Sequence, residues 1–202
     1  MNSTFRVQKN LTGLWIIQKL KGSIKELELL DYSEIMKISA GCPEFTSFID
    51  VDDHDFLNPA NMESAVINYL SKTKQSVPDN PFGLVKVALE SLVFKYRICF
   101  EQLEKILSFS IRNVHIIGGG SNNLVLNQYT ANATGKKVFA GPGEATSIGN
   151  IAVQSIANGL VKTIKDARVI IKNSFSIKEY EPCDSKKWDK AFIRYKESLK
   201  LS

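Results

Sequence analysis

Residues 114–150 read VHIIGGGSNNLVLNQYTANATGKKVFAGPGEATSIGN. A short apolar run ends in three consecutive glycines, Gly118, Gly119 and Gly120, and a second glycine-bearing turn follows at Gly141 and Gly143. An ordered glycine costs roughly 0.5–1 kcal/mol against alanine, so three in a row need a reason beyond flexibility. The segment predicts a strand (VHII), a turn, a helix from Asn122 to Ala133, a second strand (KVFAG) and a helix from Ala145 to Ala157 closed by Gly159. That alternation predicts an α/β fold in which helices cover a sheet.

Outward from this segment the pattern is mostly helical. Leu11, Leu14, Trp15 and Ile17 form a stripe over Asn10–Leu20, with Asn10 as candidate N-cap. A second helix is expected over Ile24–Ile38, ending near Gly41, and a third over Ala60–Lys72. Between them FIDV is extended within a polar, acidic loop that closes at Pro59. Phe82–Leu107 is the longest helical segment. Its apolar positions Val85, Leu89, Leu92, Tyr96, Cys99, Leu103 and Ile106 suit a coiled-coil seam. Val87, Ala88, Val93, Phe94, Ile98 and Phe100 widen that seam, which favours a buried central helix. A helix over Lys162–Lys172, an extended SIKEYEP and a charged helix from Lys186 complete the chain.

With 202 residues, 44% hydrophobic and 23% charged, the chain has the composition of a globular protein able to bury a sizeable core. It contains no apolar run long enough to span a membrane, and its first twenty residues lack the pattern of a secretory signal, so a cytoplasmic location is expected. Cys42, Cys99 and Cys183 stand far apart and, with only two histidines, make no zinc spacing. The whole net charge of +5 lies in residues 160–202, where a solvated basic helix face is the simplest reading. No aromatic-interleaved basic strand accompanies it, so nucleic acid is not an expected partner.

A glycine run between a strand and a helix start suits an anion or nucleotide, because free backbone N–H groups and the positive end of the helix dipole meet there. GGGSNNLV lacks the lysine of a Walker loop, and Asn123 stands where a dinucleotide fingerprint needs its third glycine. Two readings stay open: a bare turn on which adenine or ribose lies against the backbone, and a tight packing turn. The small residues Ala145, Gly149 and Ala152 share one helix face and suggest close packing. Asn10, Leu14 and Gln18 share another face, with the two amides about 12 Å apart if the helix is continuous. The acidic group Asp50, Asp52, Asp53, His54 and Asp55 lacks the calcium-loop pattern and reads as a solvated loop.

FRVQKNLTGLWIIQKL at the start, the DDHDFLNPANM loop, the glycine segment from His115 to Ala152 and the closing NSFSIKEYEP occur in an order that resembles the C-terminal half of the FGGY carbohydrate kinases, over residues 5–182. The branch most similar phosphorylates L-rhamnulose. The resemblance implies an actin-like, ribonuclease H-like ATPase domain over residues 1–182, the second of two that clasp ATP, Mg2+ and a sugar, with residues 183–202 as a basic C-terminal helix or tail. It places Asn10 at the sugar and Gln18 and Gly119 at the nucleotide, with Gly118, Gly120 and Asn123 of the same turn expected beside them. The family's phosphate loop, most of its sugar pocket and its proton-accepting aspartate belong to the region before this segment. This chain therefore carries no expected catalytic or metal-binding residue, is expected to be inactive alone, and needs the N-terminal kinase domain as partner. A non-catalytic actin-fold module that binds a nucleotide or a protein is the alternative reading.

Overall fold

The computed structural model describes residues 7–200; residues 1–6 and 201–202, including the first residues of the family-like segment and the ends of the expected domains, lie outside it. The element order is α1 (Trp15–Ser23), α2 (Lys25–Glu28), α3 (Tyr32–Ala40), α4 (Met62–Lys72), α5 (Pro81–Leu107), β1 (Asn113–Ile116), α6 (Leu124–Thr134), β2 (Lys137–Ala140), α7 (Ala145–Ala157), α8 (Ile164–Ser174), β3 (Lys178–Tyr180) and α9 (Ser185–Ser198), with 3-10 turns at His54–Phe56 and Gly118–Asn122. The sheet has the order β1-β2-β3. β1 and β2 run parallel with Val114 opposite Val138, and β3 runs antiparallel to β2 with Tyr180 opposite Val138. The α/β fold expected from the glycine segment is therefore present, and SIKEYEP supplies its third strand.

Local chemistry explains where the helices begin. Asn61 and Asn80 cap α4 and α5 with their side chains, and Pro81 occupies the first turn of α5, where its missing N–H has no helical partner to lose. The single helix expected over Ile24–Ile38 is two. Asp31 takes an extended conformation, accepts from the Glu34 N–H at 2.8 Å, and its own N–H donates to the Glu34 carboxylate at 2.9 Å, so a capping box starts α3. Asn10 is not an N-cap. The N–H of Thr12 approaches the Asp52 carboxylate at 3.4 Å, and helical geometry begins only at Trp15. FIDV joins no strand and ends in a turn at Val51, because side chains take its backbone groups. Gln75 bonds both the N–H and the carbonyl of Phe48 at 2.8 Å, Ser91 Oγ accepts from Ile49, and Tyr69 Oη accepts from Asp50.

The core lies where α5 crosses the helical half. Gly83 to Phe94 are all buried, as a central helix requires, while from Lys95 onward the helix is partly or fully exposed. Phe94 sits among Phe45, Phe48, Trp188, Phe192 and Tyr195 with ring centroids 5.3–6.0 Å away. Three of those rings come from α9, so the basic terminal helix is not merely solvated: its apolar face closes the main core.

α7 behaves differently. None of its residues is fully buried; Ala145, Gly149 and Ala152 are partly buried, and a methyl group added at Gly149 would meet nothing within 4 Å, so Gly149 itself is not required by a close helix approach. Ile151 and Val153 on α7, Leu160 after it, and Ile164, Val169 and Ile170 on α8 are exposed. So much adjacent apolar surface favours association. The chain is expected to bind a hydrophobic dye and to self-associate at high concentration, and Ile151→Glu with Val169→Glu is expected to suppress both; a monomer that binds no dye would contradict this.

Candidate functional site

The three glycines do three different things. Gly118 has φ +71°, the left-handed conformation that a side chain disfavours, and its N–H points to the Pro142 carbonyl of the second turn at 3.4 Å. Ser121 Oγ donates to the Gly118 carbonyl at 2.7 Å, and the buried Asn127 carboxamide donates to the Ser121 carbonyl at 2.8 Å, which fixes the 3-10 turn. Asn123 closes it by accepting from the Leu126 N–H at 3.0 Å, the cap that starts α6. A methyl group on Gly120 would make an ordinary 3.5 Å contact with Ile116. Gly119 has no left-handed backbone, and a methyl group added there would meet nothing within 4 Å. The fold gives no reason for glycine at position 119.

That bare position opens on a cavity of about 810 Å³. Gly119, Gly120, Asn122 and Asn123 form one wall, continued by Leu124 and Val125 at the start of α6, where first-turn N–H groups lack helical acceptors. Leu14, Ile17 and Gln18 form a second wall. The third is α3, with Tyr32, Ser33, Met36, Lys37 and Ala40. Apolar surface with a few polar groups at its edge suits a flat heteroaromatic ligand. Gln18, Gly119, Gly120 and Asn123 thus come together, whereas Gly118 shapes the turn from behind and does not line the cavity. The α3 wall escaped sequence reasoning, although Asp31-x-x-Glu34 marks its start and Tyr32, Met36 and Ala40 recur at intervals of four.

Asn10 lies elsewhere, in a second cavity of about 650 Å³ with Thr12, Trp15, Asp52 and Asp53. The continuous helical face expected to join Asn10 to Gln18 does not exist, since only Gln18 is helical. Segment 10–18 nevertheless serves both cavities: Asn10 to Gly13 and Trp15 line one, Leu14, Ile17 and Gln18 the other.

The acidic loop beside Asn10 is also more ordered than a solvated loop. Lys95 Nζ from α5 reaches Asp50 at 3.1 Å and Asp52 at 3.0 Å. Partial burial opposes the charge on both sides of this cluster, but the hydrogen bonds prevail: Lys95 is held above its usual value and Asp52 below the usual carboxylate range. A carboxylate with a depressed folded value stabilises the fold above its unfolded pKa of about 3.9, and that contribution disappears as pH falls through the folded value. Asp52→Asn is expected to lower stability by about 0.5–1 kcal/mol at pH 6, because the pair is partly exposed. The deficit should shrink towards zero by about pH 2–3 in urea titrations; a deficit equal at both pH values would contradict the assignment.

A parallel βαβ unit with a glycine turn at its mouth, backed by a helical half that frames a cavity over that turn, gives a mixed α/β fold that resembles the actin-like, ribonuclease H-like domains. The same architecture occurs in the crystal structure of Plasmodium falciparum glycerol kinase with ADP, which matches with a TM-score of 0.66 at 16% identity over 94% of this chain and 36% of that one. Residues 1–158 match the FGGY family of carbohydrate kinases, C-terminal domain, and the chain belongs to that family. Among its relatives are the rhamnulokinases of Bacteroides thetaiotaomicron, 37% identical over 200 residues and 99% of this chain, and of Bacillus subtilis, 40% identical over 185 residues and 91% of this chain. The chain spans 41% and 37% of the length of those two proteins.

Proposed function

We propose that this chain is the nucleotide-side domain of a sugar kinase that transfers the γ-phosphate of ATP to L-rhamnulose or a similar sugar, completed by an N-terminal domain that brings the proton-accepting aspartate and the phosphate loop. The observation that carries the nucleotide half of this reading is Gly119, a glycine the fold does not need, facing a cavity with apolar walls and amide edges. Adenosine would lie with its face on the Gly119–Gly120 backbone, held between α3 and the start of α6, with Gln18 at its edge. Asn10, in the neighbouring cavity, would contact the sugar. ATP supplies the transferred phosphoryl group; this chain's residues bind and orient it. Among the described residues no three His, Cys, Asp or Glu side chains gather as metal ligands, so no step is assigned here to the magnesium that such kinases use. No helix among the described residues is long and apolar enough to cross a membrane, and we assign the enzyme to the cytoplasm on its metabolic class.

Two cavities on one segment give a separable test. In the full-length kinase, Asn10→Ala is expected to raise KM for the sugar and leave KM for ATP unchanged, while Gln18→Ala does the reverse. The loss of one amide contact weakens binding by about 0.5–1.5 kcal/mol, roughly two- to twelvefold. Steady-state kinetics with each substrate varied in turn reads this out, and equal effects on both substrates would contradict separate subsites.

A further inference from the structure

Behind the first cavity, α5 carries a lysine–glutamate pair sealed from solvent: Lys86 and Glu90 have side chains 1% exposed. Lys86 Nζ donates to the Ala40 carbonyl at 3.0 Å and to Tyr129 Oη at 2.6 Å, and lies 3.7 Å from Glu90 Oε1. The other Glu90 oxygen accepts from the Phe45 N–H at 2.8 Å. Burial pushes the Glu90 carboxyl up to about 8 against the pull of Lys86, and Glu90 Oε1 has no hydrogen-bond donor. Buried pairs of this kind rarely add stability over an apolar side chain of similar volume. What an ammonium offers and a methionine does not is direction: three donors on one atom. Two of them go to the two helices that flank the cavity. Ala40 ends α3 and lines the cavity itself, while Tyr129 belongs to α6, whose first turn forms the opposite wall. Lys86 itself does not line the cavity.

We propose that Lys86 is a positioning residue that fixes the separation of α3 from α6, and so sets the width of the slot and its preference for a purine over a pyrimidine; this rests on the nucleotide reading of the cavity. Packing alone would hold the two helices together but would tolerate small slides, and the smaller pyrimidine profits from a wall free to move. Two directional bonds from one buried atom remove that freedom.

The test is the ratio of kcat/KM for ATP to that for CTP in the full-length kinase at saturating sugar. Lys86→Met combined with Glu90→Gln removes both ionisable groups and keeps the volume. It is expected to lower the ratio about fivefold or more through the nucleotide KM, with the sugar KM unchanged. Tyr129→Phe cuts one tie without burying a charge and should lower the same ratio by a smaller factor. Lys86→Arg, which keeps charge and donors, should restore the ratio towards that of the wild type. An unchanged ratio in both Tyr129→Phe and the double variant, whatever their melting temperatures, overturns the proposal. Gly119→Val serves as control. If it raises the nucleotide KM while the ratio stays fixed in the Lys86 series, only the role of Lys86 falls; if it leaves that KM unchanged, the nucleotide reading of the cavity falls and the proposal with it.

Discussion

Gly119→Val is expected to leave the fold intact and abolish nucleotide binding. The two halves of that expectation rest on the same geometry. Position 119 has an ordinary backbone and open space where a Cβ would stand, so a side chain there strains nothing and even restricts the unfolded chain. Gly119→Ala should therefore raise stability by about 0.4–1 kcal/mol. The same open space is where we place the face of the nucleoside, and a branched side chain fills it. On the proposed two-domain reading, the isolated chain supplies only its own side of the cleft. Adenosine, ADP and ATP should then bind alike, near the millimolar range, or about −4 kcal/mol. The valine variant should show no binding at concentrations that saturate the wild type. Gly118→Val is the informative contrast: φ of +71° makes that position intolerant for conformational reasons, so its loss of binding should come with a loss of stability.

The second large effect concerns the reaction. The 202-residue chain with ATP, magnesium and L-rhamnulose is expected to turn over no faster than a control without enzyme. Phosphoryl transfer depends on holding donor and acceptor in line and on stabilising charge around the moving group, and a single wall of a cleft does neither. The relatives that share its sequence are more than twice as long, and this chain aligns with 41% and 37% of them. Joined in one polypeptide to an N-terminal domain of the family, the chain should support turnover at least about a thousandfold above its own background. Turnover by the chain alone would require an aspartate or a phosphate grip among these residues that the account does not contain.

The order of the glycine segment was readable because its chemistry is local: strand residues, three glycines and a helix follow one another within a few positions, although the helix starts at Leu124 after a 3-10 turn and not at Asn122. Of the buried central helix expected over Phe82–Leu107, only the half from Gly83 to Phe94 is buried; its wide apolar pattern was readable, but the burial of Lys86 and Glu90 and the exposure from Lys95 onward were not. The start of α1 was not readable. Its stripe continues back to Leu11, and what stops the helix at Trp15 is a distant loop, where Asp52 meets Thr12 under the hold of Lys95. FIDV likewise has strand composition, but its backbone partners are the side chains of Gln75, Ser91 and Tyr69, which no local pattern announces. The small residues of α7 suggested close packing, and they are partly buried, but the space beside Gly149 is open, because small size permits an approach without requiring one. In the site, the family resemblance brought out Gln18 and Gly119, while the α3 wall and the Lys86 tie behind it emerge only when distant segments meet.

The central claim is that the glycine turn, α1 and α3 enclose adenosine. Amide chemical shifts of the isotopically labelled chain, followed while ADP is added to millimolar concentration, test it most directly. The account predicts shifts concentrated on Gly119, Gly120, Asn122 and Asn123, on Gln18, and on Tyr32 to Ala40, with Thr12 and Asp52 in the second cavity unmoved. Shifts confined to the second cavity, or a spectrum that ADP does not change while the glycine-turn amides remain visible, would contradict it.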